Sequence, residues 1–389
     1  MLKSNTGSST NANARAAGKE AAVQATRGLD KVKLVFAYAS VDYDLDELLK
    51  GITEELPGVS VIGNTSFTGV ITPQGYITGS KGFLGILALD DDDLAVGVAA
   101  HERGGRSPVE TGQQIACEAM AAAGKNNPPD YFYMVASPAE EEFYLKGITE
   151  VIGRVPFFGG SAADNTITGE WKIYTGKGAF ADGVAVAFFY SKKPFANKYI
   201  GAYHETSDVG VITKIRGNRT LVEIDGEPAL RKYASWRNMD PEQLKGGVLL
   251  GAAIVSPLGV KDRLGDLVAI RHPMNGNDDF SVNVGSNLAV NTAVIRMEAS
   301  VDELISSAGD TLNALKDKLP GKAGAYLLVH CGGRRAAIGD RIDEVAKQLI
   351  EAAAGVPFIA EFTFGEYGYE SDGNNTCGGL MLSFTGFGE

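Results

Sequence analysis

Three times in this chain an apolar run of strand length gives way to a small polar turn. The turns are Gly63-Asn64-Thr65-Ser66-Phe67-Thr68-Gly69, Gly159-Gly160-Ser161-Ala162-Ala163-Asp164-Asn165 and Ala360-Glu361-Phe362-Thr363-Phe364-Gly365-Glu366. They can be laid over one another without gaps. What they share is position after the runs VSVI, VPFF and VPFI rather than residue identity. Apolar runs of this length bounded by turn residues read as buried strands. Between them lie capped helices. Ser107-Pro108-Val109-Glu110, Ser137-Pro138-Ala139-Glu140 and Ser300-Val301-Asp302-Glu303 each read as a capping box, and Asp44 and Asp340 as single caps. Behind Ser300, residues Val301, Leu304, Ile305, Ala308, Leu312 and Leu315 share one helical face.

Strands alternating with capped helices give a mixed α/β fold. The order strand, strand, helix, strand, helix, turn, strand occurs twice, and an extra strand–helix–turn piece opens the first unit. The expectation is two related domains that arose by internal duplication, 31–220 and 221–389, with a boundary near Gly217–Leu221. Residues 1–30 are expected to be a Ser/Asn/Ala-rich disordered tail followed by a short helix. If like units pack together, their polar turns would line a shared cleft, a common place for ligands.

Composition narrows the partners. Lys+Arg 36 against Asp+Glu 48 gives a net charge of −12, which disfavours nucleic acid and anionic membrane surfaces. No apolar run approaches the ~20 residues of a membrane span, and the N-terminus has no signal core. The odd set Cys117, Cys331 and Cys377 has no CxxC spacing, so a reducing, cytoplasmic setting of bacterial type is expected. The four histidines, His101, His204, His272 and His330, make no ligand pair, and no metal site is expected. Asp90–Asp93 reads as a solvated hairpin tip, because the glycine and terminal glutamate of a calcium loop are missing. The Gly159 turn has neither GxGxxG nor a P-loop ending, so no cofactor is expected.

The candidate chemistry lies in the turns and in the segment HCGGRR. Cys331 ends a strand beside two arginines, which lower a thiol pKa. A nucleophile needs a positioned base, however, and His330 points to the opposite strand face. A small buried cysteine is the simpler reading. Arg334 and Arg335 follow two glycines, an arrangement that suits either a ligand carboxylate or phosphate, or salt bridges to Asp340, Asp343 or Glu344. Gly159, Gly160, Ser161, Asp164 and Asn165 offer donors and one acid, with an Asx turn as the alternative for Asp164 and Asn165. Asn64 and Thr65 are their counterparts in the first turn. Thr363, Gly365 and Glu366 place an acid that would neutralise an ammonium group, and Asn375 and Thr376 add neutral donors. Arginine for a carboxylate, an acid for an ammonium and amides for the rest suit an amino acid or similar zwitterion.

The stretches VSVIGNTSFTG, VPFFGGSAADN with DGVAVAFF, and HCGGRRAAIG…VPFIAEFTFGE…NNT resemble the FIST family, sensory proteins with an N-terminal and a C-terminal FIST domain. Cys331, Gly333 and Arg334 match the family's Cys-x-Gly-Arg piece, and Thr363, Gly365 and Glu366 its Thr-x-Gly-Glu piece. The resemblance covers about residues 31–389. It implies a cytoplasmic module that senses small molecules such as amino acids for signal transduction, without catalysis. Where the family's first turn tends to carry Gly-Glu, this chain has Thr68-Gly69, so no acid is expected there. No output module is expected after the last strand, and the expected readout is a separate signalling partner. Two other readings stand beside this one: a hydrolase or transferase using Cys331 or a turn Ser/Thr as nucleophile, and a scaffold without ligand.

Overall fold

A computed structural model describes residues 1–261, 268–369 and 374–389. One four-stranded motif recurs three times. In the first copy the spatial order is Lys3–Ser9, Leu84–Asp90, Val32–Ala39, Ser60–Thr65. In the second it is Ala95–Glu102, Gly183–Tyr190, Tyr131–Ala136, Phe157–Ser161, and in the third Phe195–Ile200, Leu382–Gly388, Ala323–Cys331, Phe358–Thr363. The last two strands in each order run parallel, joined through a helix, and the other pairs are antiparallel. The mixed α/β class expected from the sequence is therefore observed, and its repeat is threefold.

No unit finishes its own sheet. The hairpin Ile173–Thr175/Gly178–Phe180 of the second unit extends the first sheet. The hairpin Glu366–Tyr369/Asn375–Gly378 of the third extends the second. The hairpin Val70–Thr72/Gly75–Ile77 of the first extends the third. The exchange closes into a ring, so every inner parallel strand has a ladder partner on both sides. One face of each sheet meets a common central core that includes Phe36, Phe158, Phe189, Leu327 and Phe387. The outer faces are covered by helix pairs.

Two of these pairs approach through glycine. In the first unit, a methyl group at Gly18 would lie 2.3 Å from the Leu48 carbonyl oxygen, and one at Gly51 2.1 Å from that of Arg15. In the second, the same holds between Gly112 and Tyr144 (2.3 Å) and between Gly147 and Val109 (2.0 Å). In the third, Gly309 faces only the flexible side chain of Gln348, at 3.2 Å.

The third unit is interrupted after its first strand. Residues 204–298 build a separate eight-stranded sheet with the helices Ala229–Trp236 and Val248–Ala252, and a small core around Ile212, Leu221, Leu230 and Tyr233. The boundary expected near Gly217–Leu221 falls in the turn between the paired strands His204–Arg216 and Thr220–Ile224. That turn is internal to the insert's sheet, because its two strands share a hydrogen-bond ladder. The expected disordered tail is a correction. Lys3–Ser9 pairs along its whole length with Leu84–Asp90, and the helix Ala14–Ala25 packs behind it. This edge strand is stabilised by its backbone ladder and by Gly7, which lets the helix approach, so it needs no apolar pattern. Ser107 and Ser300 cap helices as expected. Ser137 does not, since its helix starts at Glu141 and its hydroxyl bonds Asp182. Asp340 lies in a short 3-10 turn, and the helix after it has no side-chain cap. No helix among the described residues is long and apolar enough to cross a membrane.

The glycine contacts give a direct test. Gly147→Ala should lower stability by about 1–3 kcal/mol through overpacking against backbone. Gly309→Ala should be near neutral or stabilising by up to ~1 kcal/mol, from helix propensity. Urea midpoints of the two variants measure the difference.

Candidate functional site

The three turns meet where the sheets converge, and the ungapped overlay of their sequences corresponds to their pairing. Glu361, Asn64 and Gly160 take equivalent places, each opposite the first residue of the incoming hairpin: Val70, Ile173 and Glu366. A cycle of main-chain bonds joins the turns. Ala163 N–H donates to Thr65 O (2.9 Å), Phe364 N–H to Ser161 O (3.1 Å) and Phe67 N–H to Phe362 O (2.9 Å). Asn64, Thr65, Ser161, Asp164, Thr363 and Glu366 are all fully buried. The turns thus share a closed polar centre in place of the expected open cleft, because the exchanged hairpins seal it.

Within that centre, side chains that differ between the units make two clusters. The first surrounds Glu361. Asn64 Nδ2 donates to its Oε2 at 2.7 Å, Tyr133 OH lies 3.4 Å from its Oε1, and Tyr38 OH bonds Tyr133 OH at 3.3 Å. Burial pushes the Glu361 carboxyl up to about 8, against which these donors act only in part.

The second cluster belongs to the third unit. The strand Ala323–Cys331 ends in the short helix Gly332–Ile338, which carries Arg334. Arg334 is fully buried. Its Nη2 donates to Leu304 O at 3.1 Å and to the Ser307 hydroxyl, while Nε and Nη1 are buried without a partner. Burial lowers its pKa, and Tyr203, Cys331 and Glu366 lie within electrostatic reach. Glu366 accepts from Met381 N–H (2.8 Å) and from Thr363 Oγ1 (2.9 Å), and burial pushes it up to about 8. Glu366 lies within electrostatic reach of the Cys331 thiol, and burial raises that thiol well above the ordinary range. Cys331 Sγ accepts from Gly333 N–H at 3.2 Å. His330 turns Nδ1 to the Cys331 carbonyl (3.0 Å), leaves Nε2 unpartnered, and is held down at about 3 by burial.

Ser161 links the second unit to this cluster. Its hydroxyl bonds Tyr367 OH (2.7 Å) and Glu141 Oε1 (3.1 Å), and Gly365 O accepts from its N–H (2.8 Å). Gly365 and Gly160 allow this approach: a methyl group on Gly365 would lie 2.7 Å from Ser161 Oγ, and one on Gly160 2.7 Å from the Thr363 methyl. Gly159, at φ 137°, pairs with Tyr367. The insert roofs the cluster. His272 lies over Gly333 and Gly379, and its Nε2–H donates to Leu250 O (2.8 Å). Arg219 clamps Glu141 (2.8 Å) and Glu142 on the second unit, and Asn287 N–H donates to Glu142 (2.9 Å).

The other expected residues stand apart. Arg335 directs its guanidinium to Gly339 O (2.8 Å) and Tyr76 OH (3.1 Å), over the Tyr76 ring, and bridges none of the expected acids. Asp164 accepts from the main-chain N–H groups of residues 166–170, the local turn role weighed against binding. Asn165 ties its turn to Ser40 and Asp42 of the first unit. Thr65 bonds Lys172 N–H at 2.8 Å. Asn375 bonds Val155 O (2.9 Å) and lines an open pocket of about 560 Å³ on the outer face, and Thr376 bonds Asn374 O. Sequence reading missed Glu361, Tyr38, Tyr133, Tyr203, Ser307 and Arg219. Only Glu361 had a local signal, an acid inside the run VPFIAEF.

Residues 33–227 match the model of the FIST N domain, and residues 229–369 that of the FIST C domain. The chain belongs to the FIST family. FIST domains are associated with sensing and signal transduction. The junction of the two matched segments lies inside the insert, so the FIST N match spans the first two units and the FIST C match most of the third. No curated protein matches the chain. Among solved structures, cyanuric acid hydrolase from A. caulinodans is similar at 11% identity over 100% of both chains, with a TM-score of 0.41. PurLQS from Thermotoga maritima is similar at 10% identity over 99% of this chain and 72% of that one, with a TM-score of 0.23.

The Glu361 cluster predicts a pH dependence. A carboxyl raised to about 8 in the fold and ordinary when unfolded contributes fully below ~4.3. That contribution is lost as pH rises towards 8. Glu361→Gln should therefore gain stability relative to the parent between pH 5 and pH 9, read from urea midpoints at both values.

Proposed function

We propose that this FIST protein senses a small molecule bearing a carboxylate, of the amino-acid class, at Arg334. The observation that carries the reading is a fully buried guanidinium with Nε and Nη1 unpartnered. A buried cation with idle donors is costly unless an anion or water completes it. A ligand carboxylate would take one of the open donors in a charge-assisted hydrogen bond. Glu366, with Thr363 beside it, would take the ligand's ammonium group.

Arg334, Thr363 and Glu366 are fully buried, with His272 of the insert over Gly333, so ligand entry would require the insert to lift. The Arg219–Glu141/Glu142 clamp is the charged contact that has to open. A ligand that binds the closed arrangement more tightly than the open one shifts the balance between them, and a separate signalling protein would read the difference. Nucleophilic use of Cys331 is the second reading. The nearness of Glu366 favours it and the raised thiol opposes it.

Thermal melts against a panel of L-amino acids and simple carboxylates test the proposal. A concentration-dependent rise in Tm is expected, lost in Arg334→Lys with the fold intact. Flat melts across the panel, or a rise that Arg334→Lys retains, would remove it. An amino acid that ionises Glu366 should also release a proton near pH 7, so its binding enthalpy should change with buffer ionisation enthalpy. A simple carboxylate should not show this. Labelling of native Cys331 by a thiol probe would favour the second reading.

A further inference from the structure

The strand Ala95–Glu102, AVGVAAHE, ends the second unit's sheet. Its only ladder partner among the described residues is Gly183–Tyr190, in a register without a bulge. Arg103 N–H donates to Asp182 O at 2.8 Å, and Gly183 O accepts from Ser137 on the other side. In an antiparallel ladder successive residues alternate in the side to which their main-chain groups point. The groups of residues 97, 99 and 101 therefore face Gly183–Tyr190, and those of Val98, Ala100 and Glu102 face outward. The Glu102 carbonyl is taken by Arg106 at 3.0 Å. Val98 and Ala100 turn N–H and C=O groups that have no ladder partner among the described residues into a cleft of about 700 Å³, walled by Leu56, Glu118 and Phe180.

The edge lacks the usual protection. It has no proline, lysine or bulge, and its first six residues are apolar or glycine. The corresponding strand of the third unit is protected. There Asn197 O is bound by Lys318 Nζ (3.0 Å), and Asn197 Oδ1 by Tyr369 N–H (3.3 Å). Tyr199 packs across Gly368 and reaches Glu366 O. Tyr199 sits opposite Ser383 as Ala100 sits opposite Ala185. The third unit plugs this junction with a tyrosine; the second has an alanine there, and Phe180 stands where the third unit has Gly378.

We infer that an extended segment of a partner protein adds to Ala95–Glu102 as a further strand. Main-chain bonds to Val98 and Ala100 hold it, and alternate side chains enter the cleft. Glu102, which has no ion pair among the described residues, selects a lysine or arginine in that segment. A second copy of this chain is disfavoured as the occupant by its net charge of −12.

A displayed library of random hexapeptides panned on the whole protein tests this. Enriched peptides should be rich in β-branched residues, carry a basic residue, and slow deuterium exchange at the Val98 and Ala100 amides. Ala100→Tyr, which installs the plug of the third unit, should weaken them at least tenfold without lowering Tm. Val98→Pro should do the same by removing one outward N–H. The inference is overturned if no clone is enriched, if the bound peptide leaves those two amides unprotected, if Ala100→Tyr still binds, or if the protein is a dimer with those amides already protected.

Discussion

Main-chain hydrogen bonding across unit boundaries is the constraint on which the rest of this structure depends. Each of the inner strands Ser60–Thr65, Phe157–Ser161 and Phe358–Thr363 would otherwise expose a buried edge. The partner in every case is a hairpin from another unit, and the cycle Thr65–Ala163, Ser161–Phe364, Phe362–Phe67 fastens the same three points again. Unsatisfied buried amides are costly, so each unit relies on its neighbour's hairpin to complete its sheet. The three units form one cooperative body. The insert has a core of its own and also buries Ile254, Ile270, Ile295 and Met297 against the third unit.

A ring of near-equivalent backbones makes side-chain differences informative. At the position shared by Asn64, Gly160 and Glu361, a threefold set of acids would place three carboxylates together. One acid, one amide and one glycine allow a single neutral carboxyl to be bonded by its neighbours. Arg334 breaks the pattern in the other direction. It stands on a short helix that only the third unit has, under an insert that only the third unit carries. Function on a symmetric scaffold resides in such exceptions.

The strands, most helices and the equivalence of the three turns were legible because each rests on local signals: apolar runs, Ser caps and glycines. The mixed α/β class followed from them. Lys3–Ser9 was not legible, since a polar edge strand takes its stability from the ladder and leaves no periodicity. Ser137 carried a cap signature, yet a left-handed Ala139 (φ 94°) delays its helix and frees the hydroxyl for Asp182. Arg334 and Glu366 stood out as residue types, and the structure brings them together. Arg335 looked the same in sequence, but one residue along a helix turns a side chain by about 100°, enough to direct it to Tyr76. The clamp of Arg219 on Glu141 joins residues 78 positions apart and had no local trace.

The proposed ligand locus includes Glu366, which belongs to the same sheet as the open edge. The strand order of that sheet runs Asn375–Gly378, Glu366–Tyr369, Phe157–Ser161, Tyr131–Ala136, Gly183–Tyr190, Ala95–Glu102. Glu366 therefore lies near one end of a six-stranded ladder and the unprotected strand at the other. A ladder is stiff along its hydrogen bonds, whereas the insert meets the second unit at Glu141 and Glu142 through a few ion pairs and the third unit through the buried Ile254, Ile270, Ile295 and Met297. A change at Arg334 that lifts the insert would strain the Glu366 hairpin and the Glu141 helix together, and both pack on this sheet. Linkage then fixes the consequence: if ligand at Arg334 alters affinity at the edge by some factor, the edge partner alters ligand affinity by the same factor. Equal affinities in both arrangements would make the two sites independent however tightly each binds. A sensor of this design thus needs a sheet with two arrangements as much as it needs the arginine.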